Sequence, residues 1–175
     1  MENINNLDKP KPDFRYRLMH RKTDSNGGAE AVPIESKLSN GRGTVKSRVI
    51  ENGVEKAFNL ELYAGIGGHY HNSDERVVPV SGEFLIITMN PNDPQTETAV
   101  RVRKDGYGHF HENILLLPLM AHLIISLEKG SEIKISRSHG PITQFAKYQD
   151  IIDSYSLDSD TYIRGIKKYV DMVGN

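Results

Sequence analysis

The chain of 175 residues contains no cysteine. Disulfides, thiolate metal ligands and a cysteine nucleophile are excluded together, so any metal site must be built from His, Asp or Glu. A surplus of one charge is also missing: 22 Lys and Arg stand against 23 Asp and Glu, for a formal net charge of -1. Without spare basic residues to engage phosphates, neither nucleic acid nor an anionic membrane is expected as a partner. Long apolar runs are lacking too. The longest, Ile114 to Leu119, is the size of a strand, far short of the roughly 20 residues a bilayer crossing needs. The N-terminal segment MENINNLDKPKPDFRYRLMHRK has no apolar stretch like that of a secretory signal, and the expectation is a soluble, cytoplasmic protein.

What is present is a composition suited to one β-rich domain, with 37% hydrophobic and 7% aromatic residues. Residues 1–13 are polar and repeat Lys-Pro, as a flexible arm would. Residues 14–140 are assigned to a β-barrel, although Phe14 to Ile50 carries mixed signals: turns at Gly27-Gly28 and Asn40-Gly41, and an edge strand at Ala31–Ile34. From Ala57 to Ser136 short β-type runs follow one another at Phe58–Tyr63, Arg76–Val80, Phe84–Met89, Ala99–Val102, Ile114–Pro118, His122–Leu127 and Glu132–Ser136. Turn residues separate them, among them Ser81-Gly82, Asn90–Pro94, Asp105-Gly106 and Lys129-Gly130. Short strands at this spacing point to an all-β sandwich or barrel. Residues 141–175 change to helical periodicity. Phe145, Tyr148, Ile151, Ile152 and Tyr155 share one face, and Tyr162, Ile163, Ile166, Tyr169, Val170 and Val173 share another. Asp160 is the expected cap of the second helix and Gly174 its stop, and both helices are expected to pack on the outside of the barrel.

One segment carries the chemistry. His69 and His71 are two apart, so on a strand both imidazoles point to the same face. Glu75 shares their parity and reaches the same interior if the chain stays extended. Two imidazoles and a carboxylate form a partial, open coordination sphere for a borderline metal. A fourth ligand must come from elsewhere, and His122, on a later strand after the Pro118 bend, can reach the same point from an antiparallel neighbour.

This pattern, His69-X-His71, three residues, Glu75, six residues, Gly82, resembles the first signature of the cupin superfamily. His122 resembles the histidine of the second signature, Pro-X-Gly-X-X-His, with Pro118 four residues ahead of it and a bulkier residue in the glycine place. The resemblance covers roughly residues 57–137 and implies an all-β fold, the cupin double-stranded β-helix or jelly-roll barrel, here with two C-terminal helices. It implies one divalent metal (Fe, Mn, Ni or Zn) on His69, His71, Glu75 and His122, and a homodimer. A second, shorter resemblance joins Asp160-Thr161-Tyr162-Ile163-Arg164 and Leu117–His122 to small sugar-nucleotide 3,4-ketoisomerases. In that family the histidines matching His69 and His71 shuttle protons on a 4-keto sugar without a metal. This chain departs from it, with Gly65-Ile66-Gly67-Gly68 where an Arg is usual and Glu75 where Gln is usual. Gly68-His69-Tyr70-His71 also looks like the Gly-His-X-His of metal-dependent cupin phosphoglucose isomerases.

Tyr107-Gly108-His109-Phe110-His111-Glu112 holds a second histidine pair just before the strand leading to His122. His109 and His111 are the candidate general acid/base residues, since imidazole titrates near neutrality. No separate cofactor-binding residue is assigned. The resulting expectation is a metal-dependent cupin enzyme acting on a small oxygen-rich metabolite, by isomerase- or epimerase-type proton transfer on a sugar or sugar nucleotide. An iron-dependent dioxygenase of a natural-product pathway and a non-catalytic ligand-binding cupin are the alternatives.

Overall fold

The computed structural model describes residues 33–103 and 114–174. The strands are β1 (Ile34–Lys37), β2 (Gly43–Ile50), β3 (Gly53–Leu60), β4 (Gly65–His71), β5 (Glu75–Ser81), β6 (Glu83–Asn90), β7 (Asp93–Arg103), β8 (Ile114–Leu116), β9 (Ala121–Ser126), β10 (Ser131–Ser138) and β11 (Ile142–Gln144). Two helices follow, α1 (Ala146–Asp153) and α2 (Asp160–Met172). All pairings are antiparallel, in one sheet ordered β1-β2-β3-β10-β5-β8 and another ordered β11-β4-β9-β6-β7. The two sheets face each other as a jelly roll.

Alternation along the strands builds two cores. Phe84 and Ile86 of β6, Ile124 of β9, Ile66, Val77, Ile133 and Ile135 pack together inside the barrel. The residues between them, Leu85, Ile87 and Met89 of β6 with Ala121, Leu123 and Ile125 of β9, point outward. There they meet Tyr148 and Ile152 of α1 and Tyr162, Ile166 and Tyr169 of α2. β6 and β9 are therefore buried on both faces, which is why they read as continuous apolar runs. Both helices cover the outside of the five-stranded sheet, as their apolar faces imply.

The differences from the sequence reading are local. β2 lay within mixed signals: Lys46 and Arg48 take the outer face, but Ser47 interrupts the inner face between Val45 and Val49. The edge strand begins at Ile34, after Pro33, and all of β1 is exposed. The sheet does not stop at Gly140, since Ile142–Gln144 pairs with β4 before α1 begins. The cap of α2 is Ser159, whose side-chain oxygen accepts from the Tyr162 N–H, and Asp160 is the first helical residue. No helix among the described residues is long and apolar enough to cross a membrane.

Candidate metal centre

His69, His71, Glu75 and His122 converge, each offering one ligand atom, with those atoms all within 4.8 Å of one another. Three strands from both sheets supply them. β4 and β9 are neighbours, and His69 lies directly across from His122 in their register. After His71 the chain turns through Asn72-Ser73-Asp74 and enters the opposite sheet, so Glu75, the first residue of β5, faces His71 from across the barrel. Glu75 thus arrives through a sheet-switching turn rather than along an extended strand.

The direction of the two β4 histidines depends on a bulge. Ile66 belongs to the interior core, and strict alternation from Ile66 would send His69 and His71 outward. The β4–β9 register shifts between Gly67 and His69, and Gly67 and Gly68 have φ of 97° and 72°. The extra residue reverses the parity, so Ile66 and both histidines share the interior. A side chain is disfavoured by φ at both positions, and at Gly67 it would also meet backbone. A Cβ on Gly68 would lie 2.8 Å from Ile152 and 2.9 Å from Gln149 of α1, and one on Gly67 would lie 2.8 Å from the His122 carbonyl oxygen.

Each imidazole is oriented by its own strand. Nδ1 of His69 donates to the Gly67 carbonyl at 2.9 Å, that of His71 to Ser73 at 2.5 Å, and that of His122 to Met120 at 3.2 Å. A carbonyl can only accept, so all three Nδ1 atoms carry a proton and each ring turns its Nε2 to the centre, where a neutral imidazole offers a lone pair. His71 Nε2 lies 3.2 Å from Glu75 Oε2, and His122 Nε2 lies 3.3 Å from Glu75 Oε1. His122 Nε2 lacks the alignment of a hydrogen bond, and His69 Nε2 has no partner among the described residues. The rings stand 4.7 to 5.7 Å apart, centroid to centroid.

His71 Nε2 is within hydrogen-bond distance of Glu75. The buried Nε2 atoms of His69 and His122 have no partner among the described residues, which is unfavourable unless a bound group such as a cation satisfies them. His71 and Glu75 are each 2% exposed and His122 is 0% exposed. Burial pushes the Glu75 carboxyl up, but the imidazoles of His122 and His71 outweigh it and hold the group well below the usual carboxylate range. Burial, and after it the neighbouring His122, pulls His69 down to about 4, so this imidazole is neutral near pH 7. A neutral imidazole, as at His69, and an ionised carboxylate, as at Glu75, are the forms that bind a first-row divalent ion. The residues present fit such an ion.

His69 is the least buried of the four and opens on a cleft. Glu75, Lys56, Phe58, Ile135 and Arg137 line that cleft with it. Lys56 and Arg137 went unnoticed in the sequence, where the signal was their spacing of two from Phe58 and Ile135. Arg42 was also missed. It is 8% exposed, and Nη1 donates to the Gly65 carbonyl at 2.6 Å, fixing the start of β4. His109 and His111, the candidate acid/base pair, lie outside the described residues. The Asp160–Arg164 stretch, similar to the ketoisomerase tail, lies on α2 outside the barrel. There Tyr162 packs on the outer core, and Arg164 Nε donates to the Asp160 carbonyl at 3.2 Å.

No protein-family model matches the sequence, and no curated protein does either. Solved structures do. The capsular polysaccharide assembling protein CapF of Staphylococcus aureus is similar with a TM-score of 0.51 at 17% identity, over 66% of this chain and 29% of that one. A mutant form of the oxalate decarboxylase OxdC of Bacillus subtilis is similar with a TM-score of 0.51 at 13% identity, over 86% of this chain and 41% of that one. This chain therefore spans less than half the length of either. The likeness is one of fold, and the fold is the cupin jelly-roll barrel.

Proposed function

We propose that this cupin-fold chain is a metal-dependent enzyme that moves a proton between adjacent carbons of a small oxygen-rich substrate, a sugar or sugar nucleotide. The observation that carries the reading is the convergence of three Nε2 atoms and the Glu75 carboxylate at the base of a cleft open on the His69 side. His69, His71, Glu75 and His122 would hold one divalent ion, and the backbone carbonyls of Gly67, Ser73 and Met120 keep the imidazoles aimed at it. Bound there, such an ion supplies Lewis acidity toward a substrate carbonyl or enediolate oxygen. The apolar floor of the cleft, Phe58 and Ile135, excludes water from beneath the reacting carbons. His109 or His111 is proposed as the group that takes and returns the proton.

Sugar chemistry is supported by the sequence resemblances and by one structural neighbour, a capsular polysaccharide assembling protein. The other neighbour, oxalate decarboxylase, has Mn(II) centres, which keeps manganese among the candidate ions beside iron, nickel and zinc. A homodimer is part of the same proposal.

The test is to incubate the protein in D2O with sugar nucleotides and phosphosugars and follow one C–H signal by NMR. Deuterium entering next to the carbonyl, without oxygen uptake and lost in Glu75→Gln, supports the reading. Substrate-dependent oxygen uptake by an iron-loaded sample would replace it with the oxygenase alternative. Tight binding with neither exchange nor uptake would leave a ligand-binding cupin.

A further inference from the structure

We propose that the cleft beside the four-residue centre selects small anionic molecules, a carboxylate or a phosphate ester, through Lys56 and Arg137. The inference rests on the metal-centred reading of the site and adds the class of molecule it takes.

Strand geometry places the two cations. Phe58 of β3 and Ile135 of β10 pack in the interior core. Lys56 and Arg137 lie two residues from them on the same strands, so their side chains emerge on the same interior face, toward the end of the barrel where Glu75 begins β5. Lys56 is directly across from Ile135, and Arg137 is directly across from Glu75. Both cations line the cleft with His69 and Glu75.

Neither cation has an acidic partner among the described residues. Arg137 is half-buried, and its one polar contact there is Nη1 donating to the Gly140 carbonyl at 3.3 Å. Two neighbouring barrel carboxylates are already engaged. Glu55, next to Lys56, is turned to the opposite face and held by Arg48 at 2.7 Å, and Glu83 is held by Arg101. Glu75 is the carboxylate nearest Arg137 in the register, yet both its oxygens face His71 and His122. With a divalent ion in place the cleft carries net positive charge, and its walls concentrate that field. A guanidinium fork suits a carboxylate or a phosphate by charge-assisted hydrogen bonds, and an ammonium adds a point charge. The cleft is open to solvent, with Lys56 and Arg137 on the same lining as His69 and Glu75. An anionic group held by Lys56 and Arg137 leaves the rest of that molecule beside His69 and Glu75.

The test uses three probes on one carbon skeleton, glycerate, glycerol phosphate and neutral glycerol. They are titrated calorimetrically into the full chain, with metal content measured on the same samples. Glycerate or glycerol phosphate should bind about tenfold or more tightly than glycerol, and the stronger of the two identifies the anion. Lys56→Met and Arg137→Gln should each weaken that anion by about 10- to 100-fold without changing metal content. Lys134→Met, on the opposite face of β10, should change neither. Lys56 is exposed, so its variant keeps the test valid if Arg137→Gln fails to fold. Equal binding of glycerol and the anions, unchanged anion affinity in Lys56→Met, or no binding of any probe would overturn the inference. Metal at full content with anion affinity unmoved by the variants sinks the cation pair and leaves the metal reading intact. A metal-free wild type that still loses anion affinity in the variants does the reverse.

Discussion

The imidazoles of His69, His71 and His122 are each held at Nδ1 by a backbone carbonyl and turn their Nε2 atoms to a common focus. Their spacing was legible in the sequence, because a period of two on a strand needs no further information. The bulge that turns His69 and His71 inward was not. Gly67-Gly68 read as glycines in a strand, and only the interior position of Ile66 shows that one residue must be left out of register. Gly68→Ala tests this directly. A left-handed φ and contact with Ile152 and Gln149 should together destabilise by about 1–3 kcal/mol in urea unfolding. Metal occupancy should fall with stability, because relief of the clash moves β4. An alanine variant as stable and as metal-rich as the wild type would contradict the parity argument.

Among the elements, β7 and the two helices are joined through one carboxylate. Glu97 accepts from Lys147 Nζ at 2.8 Å and from the Tyr148 hydroxyl at 2.9 Å, and the Tyr169 hydroxyl lies 3.5 Å away. The sequence assigned β7 only from Ala99, which leaves Glu97 outside the expected strand, although the helical faces it serves were plain. Burial, then the charge and hydrogen bond of Glu97, push Tyr169 up to about 12, and burial with Glu97 raises Tyr148 further. The sign follows from linkage: the unfolded chain loses these protons near pH 10 while the folded one keeps them. Their stabilisation is complete below about pH 10 and is lost as pH rises through about 12. Urea unfolding between pH 8 and 11 should therefore show stability falling above pH 10, with a shallower fall in Glu97→Gln; a flat profile would refute the linkage. Ser159→Ala removes the cap of α2 and should cost about 1 kcal/mol by the same measurement.

At the scale of the whole molecule, the jelly roll gathers ligands from β4, β5 and β9 at one end of an otherwise apolar interior. The barrel was legible from short strands and turn residues, and the outer helices from their apolar stripes. The antiparallel pairing of β9 with β4 was expected from the ligand set alone and is observed. The rest of the sheet order depends on long-range packing that no local pattern records. A ligand that binds the folded chain alone stabilises it by mass action, by about 2.7 kcal/mol at a hundredfold excess over Kd. A chelator should lower the Tm of the wild type by several degrees and leave His71→Ala unmoved. The most direct measurement is elemental analysis of protein purified without an affinity tag. About one divalent ion per chain is expected in the wild type and almost none in His71→Ala or Glu75→Gln. A wild type free of metal after growth and dialysis in metal-supplemented buffer, or an unchanged content in both variants, would contradict the four-residue metal centre.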